Sequence, residues 1–273
     1  MLTGKTVVIA VTGSIAAYKM ADCARELTKL HADVHVLMTQ NATQFINPIT
    51  FETLTQHKCL IDTFDRNFQY SVEHVALAKA ADVVLIAPAS ANVIGKIACG
   101  IADDMLTTTV MACTCKKLVA PAMNHNMLHN PIVQENIEKL RRYGYGIIEP
   151  ARGMLANRDI GDGKLPDVKI LIDRVLQEIA KPKDMAGVKL LVTCEPIDPV
   201  RFITNHSTGK MGAAIARAAS LRGADVTLVA GSCTAEMPPF AEIVNVRTAE
   251  DMYREVTARA PEQDIIVKAA AEA

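Results

Sequence analysis

The chain alternates between two hydrophobic periods. Short, mostly apolar runs at Lys5–Val11, Val83–Ile86 and Leu118–Pro121 read as buried strands, and Asp33–Met38 as a further strand. Between them, apolar residues recur every three or four positions. Over Ile15–Leu30 these are Ile15, Ala16, Met20, Cys23, Ala24, Leu27 and Leu30; over Pro131–Tyr143 they are Ile132, Val133, Ile137 and Leu140. Shorter helices are predicted around Ile49–Leu54, after the Asn47-Pro48 break, and at Val75–Ala81. Repeated strand–helix units of this kind predict an α/β fold with an open parallel sheet and right-handed crossovers. Ligands of such sheets sit beyond the carboxyl ends of the strands. The loops Thr12–Ala16, Thr39–Thr43 and Pro88–Asn92 meet that condition.

The same pattern restarts near residue 188. A helix at Ile170–Ile179 is followed by Lys181-Pro182-Lys183, which reads as a linker and sets domains at residues 1–182 and 186–273. Strands are predicted at Val188–Thr193, Val226–Ala230 and Asp264–Val267. Helices are predicted at Met211–Leu221, with Arg222-Gly223 as its stop, and at Ala249–Ala258. One and a half strand–helix repeats plus a strand make a thin sheet, the expectation for part of a second, Rossmann-like α/β domain. Gly209-Lys210 does not continue as a Walker A motif, because Met211 stands where serine or threonine is required. A glycine-assisted helix start explains the same residues.

Composition narrows the partners. Half of the 273 residues are hydrophobic, enough for a sizeable core. A net charge of −1 and the absence of any Lys/Arg run give no footprint for nucleic acid. No apolar run approaches membrane-spanning length, and the N-terminus lacks the cleavage site of a signal peptide. Seven cysteines, an odd number scattered through apolar segments, suit a reducing cytoplasm. Cys113 and Cys115 read as strand-edge residues. No spacing suggests a metal cluster, so no metal is expected.

Candidate chemistry concentrates in Val83–Asp104. Pro88 is expected to end the strand, and Ala89, Ser90, Ala91 and Asn92 open into a helix whose first N–H groups face outward. An ordinary strand–turn–helix connection reads the same way. Gly13 stands alone, without G-x-G-x-x-G spacing, which disfavours NAD. Small and hydroxyl residues at three strand ends suit one phosphate and one ring system, as in a mononucleotide. Ser14 is either a phosphate donor or a plain N-cap. His74 is either a cap or surface residue or a group at the ligand-bearing edge. Asn124 ends a strand with an amide able to hold a carboxylate or a ring carbonyl without adding charge.

TGSIAAYK, SVEH, APASAN-x-IGK-x-A-x-GIADD and APAMN-x-x-M, in this order, resemble the flavin-dependent cysteine decarboxylases. The resemblance is to the bacterial bifunctional coenzyme A branch, in which phosphopantothenoylcysteine decarboxylase is joined to phosphopantothenate–cysteine ligase. It implies a flavodoxin-like first domain, bound FMN, and an active site at the interface of a homo-oligomer built on trimers. By resemblance, Gly13, Ser14, Thr39, Phe45, Ser90, Ala91 and Asn92 surround the FMN. His74 matches the active-site histidine and Asn124 the asparagine that holds the substrate carboxylate. The implied substrate is 4'-phosphopantothenoylcysteine. Oxidation of its thiol creates the electron sink for loss of carbon dioxide, and reduction with protonation then gives 4'-phosphopantetheine.

One segment departs from the family. A flap cysteine serves there as proton donor, whereas this chain reads Leu155-Ala156-Asn157-Arg158-Asp159-Ile160-Gly161. An amide is no usable acid near neutral pH, so the expectation is a reaction that stops at the enethiol. EPIDPVRFITN-x-S-T-G-K-M-G resembles the opening of the ligase domain, which uses CTP and magnesium. Asn205 matches its reactive-site asparagine, and Lys268, Ala269 and Ala270 fall at its nucleotide contacts. The loop after Thr193 is shortened to Cys194, and the chain stops before later nucleotide contacts of the family. A truncated, inactive ligase segment is therefore expected. Two alternatives remain: a peptidyl-cysteine decarboxylase-like flavoprotein, for which an enethiol is the final product, and a non-catalytic FMN-binding regulator.

Overall fold

Strands β1 (Thr6–Val11), β2 (Asp33–Met38), β3 (Val83–Ala89), β4 (Lys116–Pro121) and β5 (Gly146–Ile147) form one parallel sheet in the order β2-β1-β3-β4-β5. The computed structural model describes residues 1–63, 73–154, 160–194, 209–231, 233 and 235–269. Every residue of β3 is buried, the reason its sequence is an unbroken apolar run rather than an alternation. The connecting helices are α1 (Lys19–Lys29), α2 (Pro48–Thr55), α3 (Glu73–Ala80), α4 (Ala91–Ala98), α5 (Met105–Ala112), α6 (His125–Leu128), α7 (Pro131–Arg142) and α8 (Val168–Ile179). Asn47, Asn124 and Asn130 each cap the helix that follows by accepting an N–H two residues on.

Several boundaries differ from expectation for identifiable reasons. Pro88 does not end β3, which runs on to Ala89. Its register with β4 shifts between Ile86 and Ala89, an irregularity where a missing proline N–H is tolerated. The helix expected over Ile15–Leu30 begins as a 3-10 turn at Ile15–Tyr18 before α1. Helix α5 shows no polar stripe because Met105, Leu106, Thr107, Thr109 and Val110 are all buried; a capping box between Asp104 and Thr107 starts it. Cys113 is its C-terminal cap and Cys115 precedes β4, so neither is a strand-edge residue. An antiparallel hairpin, β6 (Ala151–Met154) and β7 (Ile160–Lys164), was absent from the sequence reading.

Two compact units divide the chain, Met1–Ile179 and Ala180–Ala273. In the second, β8 (Lys189–Cys194), α9 (Lys210–Leu221), β9 (Asp225–Ala230), β10 (Glu242–Asn245), α10 (Ala249–Arg259) and β11 (Ile265–Lys268) build a parallel four-stranded sheet in the order β10-β9-β8-β11. Strand β10 escaped the sequence reading because it is short and only half-buried. The glycines of GKMG serve packing. A Cβ on Gly209, whose φ is +69°, would lie 2.6 Å from Cys194 Sγ, and one on Gly212 2.9 Å from Cys194 Cβ.

The two sheets share devices at both ends of their central strands. Asp82, just before β3, accepts the Thr6 N–H at 2.8 Å, and Asp264, just before β11, accepts the Lys189 N–H at 2.9 Å. At the other end, the Thr12 hydroxyl oxygen accepts the Ser90 N–H at 2.9 Å. The Thr193 hydroxyl oxygen likewise accepts the Ala269 N–H at 3.2 Å. Each pair locks two neighbouring parallel strands in register where ladder bonding starts or runs out.

Candidate active site

The carboxyl ends of β1, β2 and β3 surround an open cavity of about 420 Å³, a size suited to a cofactor-sized ligand. Gly13, Thr39, Asn41, Ser90, Ala91 and Asn92 contribute to its lining. Three chain reversals make the floor. Thr12, fully buried, donates its hydroxyl to the Pro88 carbonyl at 2.6 Å and accepts from Ser90 N–H, so it ties the loop after β1 to the loop after β3. The Thr39 hydroxyl accepts the Ala42 N–H at 3.2 Å and turns the chain after β2. Gly13 lets those loops approach, since a Cβ there would sit 2.7 Å from Asn41 Cβ.

Helix α4 points its N-terminus into this space. Ser90 is its cap, with the hydroxyl accepting Val93 N–H at 3.4 Å. The N–H groups of Ala91 and Asn92 lie in the helix's first turn, where no intrahelical carbonyl reaches them, and together with the helix dipole they favour an anion. Lys96, also on the lining, donates to Asp103 at 2.7 Å and to Asp104 at 3.3 Å. Hydrogen bonding to Asp103 outweighs burial and holds its ammonium above the usual lysine range. Lys96 is thus already paired with two carboxylates, and the donors turned toward the cavity at this wall are the backbone amides of Ala91 and Asn92.

Not every expected residue lines the cavity. The Ser14 hydroxyl caps the 3-10 turn by accepting Ala16 N–H at 3.4 Å, the role of a plain N-cap. Phe45 follows the short 3-10 turn at Ala42–Gln44 and is exposed. His74 is half-buried in the first turn of α3. That helix ends beside Asp82, whose N–H donates to Thr6 at the amino end of β1, so its first turn lies toward the carboxyl end of the sheet. Asn124 caps α6 with its Oδ1 accepting Asn126 N–H at 2.9 Å, which leaves the amide NH2 as the outward donor. Met127, one turn on, reaches the lining.

Sequence reading did not single out Thr12, Asn41, Lys96 or Asp104, although all lie in the flagged loops or the flagged stretch. The β6–β7 hairpin docks on the Asn124 turn. The Met123 N–H donates to the Gly163 carbonyl at 3.0 Å, and the Asp162 N–H donates to His125 Nδ1 at 3.3 Å. Asn157 and Arg158 lie outside the described residues, as do Asn205 and Ala270. In the second unit, Lys268 ends β11 at the exposed carboxyl edge and Ala269 is bonded to Thr193 as above.

Comparison with known proteins agrees with this geometry. A family model described as Flavoprotein matches residues 1–180, and one described as DNA/pantothenate metabolism flavoprotein C-terminal domain matches residues 185–273. The coenzyme A biosynthesis bifunctional protein CoaBC of Bacillus subtilis is 42% identical over 99% of this chain, which spans 68% of that protein. Its counterpart in Vibrio vulnificus is 41% identical over the same share. Among solved structures, a cysteine-to-serine mutant of PPC decarboxylase complexed with pantothenoylaminoethenethiol matches 63% of this chain and 96% of its own, with TM-score 0.56 and 29% identity. The FMN-dependent cysteine decarboxylase SpaF matches 64% of this chain and 99% of its own, with TM-score 0.54 and 34% identity. A parallel-sheet flavoprotein unit followed by a pantothenate-metabolism unit, similar along nearly its whole length to these relatives, makes the chain a member of the bifunctional coenzyme A biosynthesis protein family.

Proposed function

We propose that the first unit binds FMN and decarboxylates 4'-phosphopantothenoylcysteine, and that the reaction ends at the enethiol because Asn157 occupies the proton donor's place. The observation that carries the reading is the cavity itself, with the N–H groups of Ala91 and Asn92 at one wall and the Asn124 turn on the neighbouring strand end. The residues fit FMN. A phosphate finds backbone donors at the start of α4, and the lining of small residues leaves room for a flat ring. Bound FMN would supply the two-electron oxidation of the substrate thiol, without which no sink exists for the electrons left by carbon dioxide; an enethiol product does not take those electrons back, so each flavin supports one turnover until dioxygen reoxidises it.

The protein's own residues hold and orient. The Asn124 NH2 grips the substrate carboxylate as a neutral donor, so the carboxylate is not over-stabilised by a full positive charge before it leaves. His74 handles the proton of the reacting thiol or fixes its orientation. Neither side chain lines the cavity of a single copy, so the reading includes a homo-oligomer, built on trimers, in which a second copy closes the site. Exposed Ile15, Tyr18 and Phe45, all in the segments after β1 and β2, are apolar surface available for that contact. The site needs no membrane or nucleic acid partner, and the chemistry belongs to the cytoplasm.

The proposal gives the second unit no step. Cys194 packs against Gly209 and Gly212 where β8 meets α9, and its thiol donates to the Gly209 carbonyl at 3.2 Å. Phosphopantothenate, cysteine, CTP and magnesium are expected to give no product.

Mass spectrometry of the product from purified protein given 4'-phosphopantothenoylcysteine tests the reading. A product lighter than phosphopantetheine by two hydrogens is expected. Phosphopantetheine itself would refute the stall but keep the decarboxylase. Unchanged substrate with FMN bound would replace the enzyme by a flavin-binding regulator. The likeness to the peptidyl-cysteine decarboxylase EpiD, 27% identical with TM-score 0.53, favours one second reading, peptidyl-cysteine decarboxylation, which turnover of a peptide ending in cysteine would establish.

A further inference from the structure

Far from the cavity, Asp33, His35 and His57 converge at the opposite end of β2. Asp33 and His35 are two residues apart on an edge strand, so their side chains share a face. The chain after α2 is turned back by Gln56, whose φ is +61°. It then runs beside β2, with the Leu60 N–H donating to Val36 at 3.0 Å and the Met38 N–H to Leu60 at 2.9 Å. That return lays His57 on His35, ring stacked on ring, with centroids 4.1 Å apart and planes at 19°. Both Nε2 atoms face one carboxylate, His57 at 2.6 Å from Asp33 Oδ1 and His35 at 3.2 Å from Oδ2.

We propose that Asp33, His35 and His57 form a binding site for a first-row divalent transition metal ion of the zinc class. All three ligand atoms lie within 4.8 Å of one another. Ligand bonds of roughly 2.0–2.2 Å around a tetrahedral ion put neighbouring ligand atoms about 3.3 Å apart, so only small side-chain rotations are needed. Two imidazoles and one carboxylate suit zinc, cobalt or nickel and not the hard, all-oxygen cations. Burial and the neighbouring His57 hold His35 below the usual imidazole range, and the neutral imidazole is the ligating form. Burial would raise the Asp33 carboxyl, but hydrogen bonds from His57 and His35 outweigh it and hold it low. Ion binding displaces the ring protons that now sit between these groups. Asp33 and His57 are exposed enough to leave the remaining coordination positions to water.

A second group, His125, His129 and Asp162, is less suited. His125 Nδ1 already accepts the Asp162 N–H, and its ring lies against Gly161, where even a Cβ would come within 3.1 Å. Coordination there would break a backbone hydrogen bond or force the wrong tautomer.

Metal binding to the chelator-stripped 273-residue chain tests the proposal, with Zn²⁺ measured by competition against a chromophoric chelator and Co²⁺ by absorption. Wild type and the His129→Gln variant are expected to take up one ion per chain with equal affinity. His57→Gln and Asp33→Asn are expected to weaken uptake at least tenfold, with circular dichroism showing both folded. Zinc should raise the melting temperature of wild type and not of His57→Gln. Equal uptake by wild type and His57→Gln, or a thiolate charge-transfer band from bound Co²⁺, would overturn it by placing the ion on the cysteines or elsewhere.

Discussion

Thr12→Val removes one buried oxygen and nothing else of consequence. Valine keeps the shape of threonine, so no cavity forms and the change isolates the hydroxyl's hydrogen bonds. Two are lost, the 2.6 Å bond to the Pro88 carbonyl and the 2.9 Å bond from Ser90 N–H. Thr12 has no solvent exposure, so water cannot enter to replace the hydroxyl on its own side. A buried polar group left without a partner costs about 1–3 kcal/mol. Ser90 is half-buried and recovers part of its share from solvent, so the sum is roughly 2–4 kcal/mol. For a unit of this size that lowers the melting temperature by about 5–15 °C. Thr12→Ser keeps both hydrogen bonds and loses a methyl, a cost of about 1 kcal/mol. Urea unfolding of the three proteins, followed by circular dichroism, measures the order. A valine variant within about 0.5 kcal/mol of wild type, or a serine variant as damaged as the valine one, would refute the claim that this hydroxyl joins the two loops. The damage should extend to the ligand, because the same hydroxyl holds the cap of α4, and FMN affinity should fall in Thr12→Val more than in Thr12→Ser.

Three further outcomes are expected. Gly163→Ala should detach the β6–β7 hairpin from the Asn124 turn, because its φ is +112° and a Cβ would meet the Met123 carbonyl oxygen at 2.2 Å; hydrogen exchange at Gly161–Lys164 should quicken by a factor corresponding to at least ~2 kcal/mol of local stability. If Asn157 stands in the proton donor's place, Asn157→Cys should supply an acid there and shift the product from enethiol to phosphopantetheine, which the mass of the product reports directly; an unchanged product would remove residue 157 from the proton path. The Cys113 thiol hydrogen-bonds Cys115 and, aided by Lys117, outweighs burial to hold the Cys115 thiol down at about 7. Burial pushes the Cys23 and Cys59 thiols up to about 12. The thiolate is the reactive form, so Cys115 alkylation should set in at lower pH than that of Cys23 or Cys59, with Cys113→Ala moving its midpoint upward. A Cys115 profile that matches exposed Cys99, read by peptide mass mapping, would contradict this.

Local pattern was enough wherever one short segment decides its own state. The apolar run of β1 and the three-to-four spacing of α7 and α9 put those elements within a residue or two of their observed bounds, and that of β3 fixed its start, because burial on both faces or on one stripe leaves a direct mark on residue order. The three strand-end loops were legible for the same reason: parallel strands leave their carboxyl ends on one edge. Short or uniformly apolar elements left no such mark. Helix α5 buries threonines along with its apolar residues, and β5, β6 and β10 are held by neighbours rather than by their own residues. The motifs near Gly13, Ser90 and Asn124 pointed to a flavin site from sequence. Which atoms remain available there depends on contacts between distant segments. Thr12 takes the Ser90 N–H across 78 positions, and Ser14 and Ser90 spend their hydroxyls on caps. The Asp33–His35–His57 cluster shows the same division. Residue order puts two of its members on one face of a strand, but only the return of the chain after α2, bonded along β2 through Leu60, brings His57 onto them. Sequence determined the elements and the edge on which a ligand can sit, since those follow from periodicity and connection. Tertiary structure alone decided which donors, acceptors and imidazoles meet, since pairing across the fold is written in no local pattern.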